Sequence, residues 1–180
     1  MATTTSIVTA VNNSIFDEWM TDDGTADRLR DNQTAICTAF GNLSIPAGAT
    51  IDGIEVDMEG TAQETDHDTQ VGNWIYVSND GGSSWSTAQS ITTGTWSTSS
   101  GTHNVETAGG TSDLWGESWD ATTAAAIQVK LAWSTTNTDA VFLDYVLVRI
   151  TYTALSSGPP TSLTIKSGKL NIKSGKLIIK

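Results

Sequence analysis

Short apolar stretches recur along the chain, and clusters of Gly, Asn, Asp and Ser separate them. Within residues 51–58, apolar and acidic residues alternate from Ile54 to Met58. Residues two apart share one face of a strand, so this alternation predicts a half-buried strand with an acidic outer face. Similar patterns predict four more strands, at 34–43, 74–77, 127–133 and 141–152. The last of these is apolar on both faces in its middle, which predicts a central strand.

The number and spacing of these strands predict an all-β protein. Short strands separated by turn residues are typical of an antiparallel β-sandwich or a barrel. Threonine and serine make up more than a quarter of the chain, and strong helix formers are sparse. We expect helix only as one turn at 121–126 and as a short segment within 17–29. Residues 92–120 show little periodicity and are expected to form a long loop.

The last twenty residues contain a repeat. Leu-x-Ile-Lys-Ser-Gly-Lys begins at Leu163 and again at Leu170, and Leu-Ile-Ile-Lys follows from Leu177. Each Ser-Gly disfavours a helix, because glycine costs about 1 kcal/mol in a helix interior. The pattern therefore predicts short strands joined by two-residue turns. The tail is then a three-strand meander, the rungs of a small β-helix or one extended strand laid on a neighbour.

A sheet of such short strands needs a partner surface, because it is marginally stable alone. We expect the apolar residues of the repeat to be buried at that contact and its lysines to face water or acidic neighbours. The predicted assembly residues are Leu163, Ile165, Leu170, Ile172, Leu177 and Ile179, with Lys166, Lys169, Lys173 and Lys176.

The predicted organisation has four parts. Residues 1–33 form an N-terminal segment, either an assembly arm or a first strand, and residues 34–154 form the β-sandwich domain. Residues 155–160 form a linker, because two consecutive prolines stiffen the chain there. Residues 161–180 form the short repetitive β-strand tail.

Charge is divided between the body and the tail. The chain of 180 residues has 9 basic and 20 acidic residues and a net charge of −11. Every acid lies between Asp17 and Asp144, so residues 1–160 carry −16 and the last twenty residues carry +5. This asymmetry predicts a tail with its own partner. The acidic body disfavours nucleic-acid binding, and neither a signal peptide nor a membrane-spanning segment is expected.

The sequence offers little for metal or thiol chemistry. Cys37 is the single cysteine, so one chain forms no disulfide framework and no cysteine-type zinc site. Two acidic clusters supply metal ligands, the first through carboxylates and an imidazole and the second through carboxylate oxygens. An exposed acidic loop with an incidental histidine explains the first, and the spacing of the second does not match an EF-hand loop. We therefore predict no cofactor, with a structural Ca²⁺ as the alternative. The clusters are Asp66-His67-Asp68 with Glu64, and Asp17, Glu18, Asp22 and Asp23 beside Gly24.

Catalytic motifs are not evident, and the prediction is that the protein is not an enzyme. Its two histidines, His67 and His103, lie in neither a nucleophile elbow nor a zinc-protease motif. A carboxylate pair for glycoside hydrolysis is an alternative, but the sequence singles out no two acids for it.

Seven tryptophans are many for a chain of this length. Trp74 and Trp133 lie in strand patterns and are expected in the core. Trp96, in the predicted loop, is the candidate for a contact with a ligand or with another subunit. Exposed indole rings on a β-sandwich suit stacking against sugars, and packing in a core or at an interface is the other explanation.

The sequence SNDGGSSW, from Ser78 to Trp85, resembles the Asp-box of sialidases. In that group the box is a structural hairpin away from the active site. Asp80 is suited to bond the turn amides, Gly82 permits positive φ, and Trp85 packs beneath the hairpin. One copy and three arginines do not make a sialidase propeller, so we expect a folding element here.

Three segments together resemble structural proteins of phages and environmental viruses. They are SIPAGATIDGIEV (44–56), GTSDLWGESW (110–119) and VFLDYVLVRITY (141–152), and the resemblance extends over about residues 34–153. It implies a jelly-roll-like β-sandwich and a component of a virion surface, fibre or tail. The repeat tail lies outside the resemblance, so its role rests on its own pattern.

The sequence thus predicts a non-enzymatic structural protein that self-assembles into a virion component or an extracellular fibre or filament. Assembly uses contacts between sandwich edges and a tail that docks on a neighbouring subunit. The expected partners are other copies, other virion proteins or surface glycans, and neither nucleic acid nor membrane. The alternative is a carbohydrate-binding or adhesion module that uses exposed tryptophans. Sequons at Asn12, Asn32 and Asn42 matter only in a glycosylating compartment.

Overall fold

The computed structural model describes residues 1–11, 24, 26–30, 33–41, 43–62, 75–90, 103–132, 140–155, 170–173 and 176–179. This part of the chain is almost entirely antiparallel β-structure, so the all-β prediction is confirmed. Its strands are β1 (Ala2–Val11), β2 (Asp27–Arg30), β3 (Thr34–Phe40), β4 (Thr50–Ala62), β5 (Ile75–Ser78), β6 (Asn104–Gly110), β7 (Gln128–Ala132), β8 (Ala140–Thr153), β9 (Leu170–Lys173) and β10 (Lys176–Ile179).

Strands β1 to β8 form one continuous sheet in the order β5-β7-β3-β1-β8-β4-β6, and β2 also pairs with β8. Strand β1 joins two halves of this sheet. Its residues from Ala2 to Ile7 pair with β8, and those from Val8 to Val11 pair with β3, with irregular register after Val8. One half contains β6, β4, β8, β2 and the start of β1. The other contains the end of β1, β3, β7 and β5.

The two halves share one hydrophobic core, which makes the body sandwich-like. Alternate residues of β4 and β8 enter this core from one half, and residues of β3, β5 and β7 enter it from the other. The residues without solvent exposure include Ile54, Val56, Met58, Val146, Val148, Ile150, Ala35, Cys37, Ile75, Val77, Val129 and Leu131. Burial of the Cys37 thiol in this core raises its pKa well above the ordinary value.

Strand β8 is the longest strand and the centre of its half of the sheet, as predicted. It pairs with β4 on one side and with both β1 and β2 on the other. The other four predicted strands correspond to β3, β4, β5 and β7, and the predicted helical turn is the helix α1 (Ala121–Ala125). Asp120 caps α1, because its carboxylate accepts the amides of Thr122 and Thr123.

Two predictions about local structure have different outcomes. The short helix expected within 17–29 falls mostly outside the described residues, and the described end of this range is a strand, because Asp27–Arg30 pairs with β8 and buries Leu29 completely. The expected loop at 92–120 contains β6, which pairs with β4 from Asn104 to Gly110. Only Val105 in β6 is a large apolar residue, and it is half exposed, so no apolar alternation marks this strand.

The N-terminal and C-terminal segments have different relations to the body. Residues 1–33 supply β1 and β2, both of which pair with β8. In the tail, β9 and β10 form a separate two-stranded antiparallel sheet in which Lys173 pairs with Lys176. The first predicted strand of the tail, with residues 161–169, lies outside the described residues.

Candidate functional site

The outer face of β4 carries three acids, as the alternation of its sequence predicts. Glu55, Asp57 and Glu59 lie on the face of β4 that points away from the core. Asp57 is buried rather than exposed, because Arg149 Nη2 lies 2.6 Å from its Oδ2 and the Thr107 hydroxyl donates to its Oδ1 at 2.7 Å. Arg149 also approaches Glu55 at 3.6 Å. Arg149 therefore contacts two of the three acids on this face.

Strand β6, at the edge of this half of the sheet, has backbone groups that point away from β4. The amide of Gly109 donates to Gln89 Oε1 at 3.0 Å and therefore faces away from β4. Successive residues of an antiparallel strand direct their backbone groups alternately to its two sides. The amides and carbonyls of Val105 and Thr107 therefore face away from β4, as the amide of Gly109 does. Among the described residues, none bonds to these backbone groups of Val105 and Thr107.

Strand β5, at the opposite end of the strand order, is covered by its own chain. The segment after β5 turns back along it, and Ile75 and Gln89 exchange backbone hydrogen bonds at 3.0 and 2.8 Å. Val77 accepts the amide of Ser86 at 2.9 Å and donates its own amide to the Ser86 hydroxyl at 3.0 Å. The outer backbone groups of β5 are thus satisfied within the protein.

Gln89 connects the two halves of the sheet on the side opposite to β1. Its carboxamide accepts the Gly109 amide through Oε1 and donates through Nε2 to Asp113 Oδ2 at 2.8 Å. Asp113 in turn accepts the amide of Trp115 at 2.7 Å, and the Trp115 indole donates to the Ile54 carbonyl at 3.0 Å. We call Gln89, Gly109, Asp113 and Trp115 the clamp. It fixes the end of β6 against both β4 and the segment that covers β5.

The three segments 44–56, 110–119 and 141–152 meet in space. Ile54 of the first donates its amide to the Asp113 carbonyl of the second at 2.9 Å. Residues of the first and third segments pair in the ladder between β4 and β8, from Ile51 with Tyr152 to Val56 with Val148. The motifs therefore belong to one structural unit, built on β4, β8 and the clamp.

The Asp-box residues come together in a tight hairpin after β5. The Ser78 hydroxyl donates to Asp80 Oδ1 at 2.8 Å and accepts the amide of Gly82 at 2.9 Å. Ser84 donates its hydroxyl and its amide to the carboxylate of Asp80, at 2.6 and 2.9 Å. These hydrogen bonds, chiefly those from Ser84, lower the pKa of Asp80 to about 2.

Trp85 at the end of the box packs against the outer face of β5 and β7. The ammonium of Lys130 lies 3.9 Å from the ring centre of Tyr76 and 4.6 Å from that of Trp85. Partial removal of water from this ammonium lowers its pKa. A Cβ on Gly82, which has a φ of 85°, would lie 2.8 Å from the side chain of Gln128. The contacts of Trp85 and Tyr76 with Lys130 thus hold the hairpin against the sheet.

A half-buried histidine and a buried aspartate join three segments of the body. Asp144 is 1% exposed, and its Oδ2 accepts the Gly24 amide at 3.0 Å and lies 3.2 Å from Nδ1 of His103. The sequence did not single out Asp144, because its role depends on an irregularity in the pairing of β8 with β4. This pair fixes the start of β6 and the segment before β2 on the central strand.

Several residues predicted to act at a site lie outside the described residues. They are Trp96, the two acidic clusters other than Gly24, and Leu163, Ile165, Lys166 and Lys169 of the tail. The remaining tail residues are described by their backbone, in β9 and β10. Within the described ranges, no group of three or more His, Cys, Asp or Glu side chains is placed to hold a metal ion.

Comparisons with protein-family models, curated proteins and solved structures found no match to this chain. None of the helices in the part of the chain that the structure describes is long and apolar enough to cross a membrane. The candidate site is the outer edge of β6, where Val105 and Thr107 have backbone groups that no described residue bonds, beside the acidic face of β4.

Proposed function

We propose that the protein is a non-enzymatic structural subunit that self-assembles, as a virion component or as the subunit of an extracellular fibre or filament. In each contact, the C-terminal tail of one copy docks on the body of the next copy. The body is proposed to be a jelly-roll-like sandwich, with residues 161–180 as its repetitive strand tail.

The observation that carries this proposal is the separation of the tail strands from the main sheet. The eight strands of the body form one sheet, whereas β9 and β10 pair only with each other in the described part of the chain. A two-stranded sheet is at best marginally stable in water, so it needs a surface to cover it. A neighbouring copy supplies such a surface in every assembled particle.

Charge supports a contact between tail and body. Residues 1–160 carry −16 and the last twenty residues carry +5, and opposite charges speed the encounter of two surfaces. A contact between two different surfaces of identical subunits is head-to-tail. Such contacts close into a ring or continue as a filament. Both outcomes suit a structural subunit.

The test is deletion of residues 161–180, with a control in which a Gly/Ser segment of equal length replaces the tail. We expect both variants to keep the far-ultraviolet circular dichroism of the body and to be monomeric by light scattering, while the full chain forms larger particles. If the deletion variant assembles as well as the full chain, the proposal is wrong. A full chain that stays monomeric and binds glycans would favour the carbohydrate-binding alternative.

A further inference from the structure

We infer that the docking site for the tail is the outward edge of β6 at Val105 and Thr107, where a tail strand from a second copy adds to the sheet. This inference rests on the proposed function and goes further, because it names the receiving surface. The surface is defined as the outer backbone groups of these two residues together with the adjacent acidic face of β4.

The first argument is the backbone of β6. Val105 and Thr107 each present one amide and one carbonyl away from β4, and no described residue bonds to them there. Unpaired strand groups of this kind are a template for another strand, and main-chain hydrogen bonds supply the affinity. Strands β9 and β10 have four residues each, which is enough to pair with both positions.

The second argument is the side chain of Val105. It is 51% exposed, and it lies opposite Glu59 in the ladder between β6 and β4. The described body has few other exposed large apolar residues, which are Met1 and Leu155 at its ends. An added strand would cover Val105, which gives the contact a small apolar centre between backbone hydrogen bonds.

The third argument is charge. Glu55, Asp57 and Glu59 lie on the outer face of the strand next to β6, where Arg149 is paired with Asp57 and approaches Glu55. One carboxylate oxygen of Glu55, Oε2, is buried and has no hydrogen-bond partner among the described residues. The tail carries five lysines and no acid. The acids of this face, in a body that carries −16, therefore suit a lysine-rich occupant.

Other edges of the sheet suit the tail less well. The edge of β5 is covered by the segment from Ser86 to Gln89. Strand β2 has the sequence Asp-Arg-Leu-Arg, whose net charge of +1 suits a lysine-rich strand less well than the acids of β4. The start of β1 has no acid. Strand β6 alone combines unbonded backbone groups with a negative face in the described structure.

The experiment compares Val105→Pro with the matched variant Val105→Thr in the full chain. Proline removes the outward amide and obstructs an added strand, and it is tolerated at edge strands where that amide faces outward. Threonine keeps the amide and the strand preference. We expect Val105→Pro to weaken self-association at least about tenfold by sedimentation, and Val105→Thr to change it less than about twofold. Equal association of the two variants would overturn the inference.

Two further variants test the inference even if the proline variant does not fold. Val105→Lys and Val105→Glu place opposite charges at the same position, and each is checked for a native circular dichroism spectrum. We expect the lysine to weaken association about tenfold more than the glutamate at low salt, with the difference shrinking at high salt. If the two variants associate equally, the inference fails.

The outcomes separate this inference from the proposed function. If deletion of residues 161–180 abolishes assembly but all Val105 variants assemble like the full chain, the tail docks elsewhere and only the inference fails. If the deletion variant assembles like the full chain, the proposed function fails as well.

Discussion

The two strands at the ends of the sheet order, β5 and β6, differ in how their outer edges are used. The chain after β5 returns along that strand and satisfies its outer amides and carbonyls through Ser86 and Gln89. Along the outer edge of β6, the described residues satisfy the amide of Gly109 through a side chain and bond to neither Val105 nor Thr107. Proteins usually protect sheet edges from intermolecular pairing. Backbone groups of an edge strand that have no partner in the described structure are therefore candidates for pairing with another chain.

The largest effect on the free energy of unfolding is expected at Gly109, where the end of β6 is fixed to the body. Gly109 has a φ of 81°, and a Cβ there would lie 2.3 Å from the Ile54 carbonyl oxygen. Gly109→Ala should therefore lower the free energy of unfolding by about 3 kcal/mol or more, measured by denaturant titration. Gly116 is the control, because its φ is 73° but nothing lies within 4 Å of the position that a Cβ would take. Gly116→Ala should cost only about 1 kcal/mol. Equal costs would show that the close approach at Gly109 does not matter.

A smaller effect on the free energy of unfolding is expected at Gln89, which joins the segment that covers β5 to the end of β6. Gln89→Met keeps the length of the side chain but loses its hydrogen bonds to Gly109 and Asp113. The expected loss is about 2 kcal/mol, since one of these bonds is to a carboxylate. Gln128→Met is the matched control, because the Gln128 side chain forms no hydrogen bond with a described residue. This control should stay within about 0.5 kcal/mol of the unchanged protein. A neutral Gln89→Met would contradict the role of the clamp.

Acid should weaken the hairpin of the Asp-box, which leads into the segment that covers the edge of β5. The pKa of Asp80 is lowered to about 2, so the carboxylate stabilises the hairpin at pH values above its ordinary pKa of 3.8. This contribution is lost as the pH falls through about 2, because the protonated group no longer accepts the same hydrogen bonds. We expect the tryptophan fluorescence of the full chain to change between about pH 4 and pH 2, and this part of the change to be absent in Asp80→Asn. Identical acid titrations of the two proteins would contradict the assignment.

The smallest effect on folding is expected at the open edge. Val105→Thr alters a half-exposed side chain whose outer backbone groups have no described partner. Its free energy of unfolding should change by less than about 0.5 kcal/mol, as for most surface substitutions. Thermal denaturation of the tail-deleted protein measures this effect without a contribution from assembly. A loss of about 2 kcal/mol would mean that Val105 belongs to the core.

The difference between the edges also marks what the sequence could predict. The alternation in β4 and the apolar run of β8 lie at the centre of the sheet, where burial on one or both faces imposes a pattern. Strand β6 has Glu106 on the buried face and Val105 on the exposed face, the reverse of that pattern. The Asp-box was recognisable because its bonds are local, from Ser78 to Ser84. The clamp and the unbonded backbone of Thr107 depend on pairings between distant segments, which no local pattern encodes.

The central claim is that the tail of one copy occupies the β6 edge of another, and a mixing experiment tests it most directly. The full-length Val105→Pro variant has a tail but a blocked edge, and the wild-type body without residues 161–180 has an open edge but no tail. We predict that each is monomeric alone and that their mixture forms a one-to-one heterodimer by sedimentation, which grows no further. A mixture that stays monomeric, while the full wild-type chain assembles, would contradict the account.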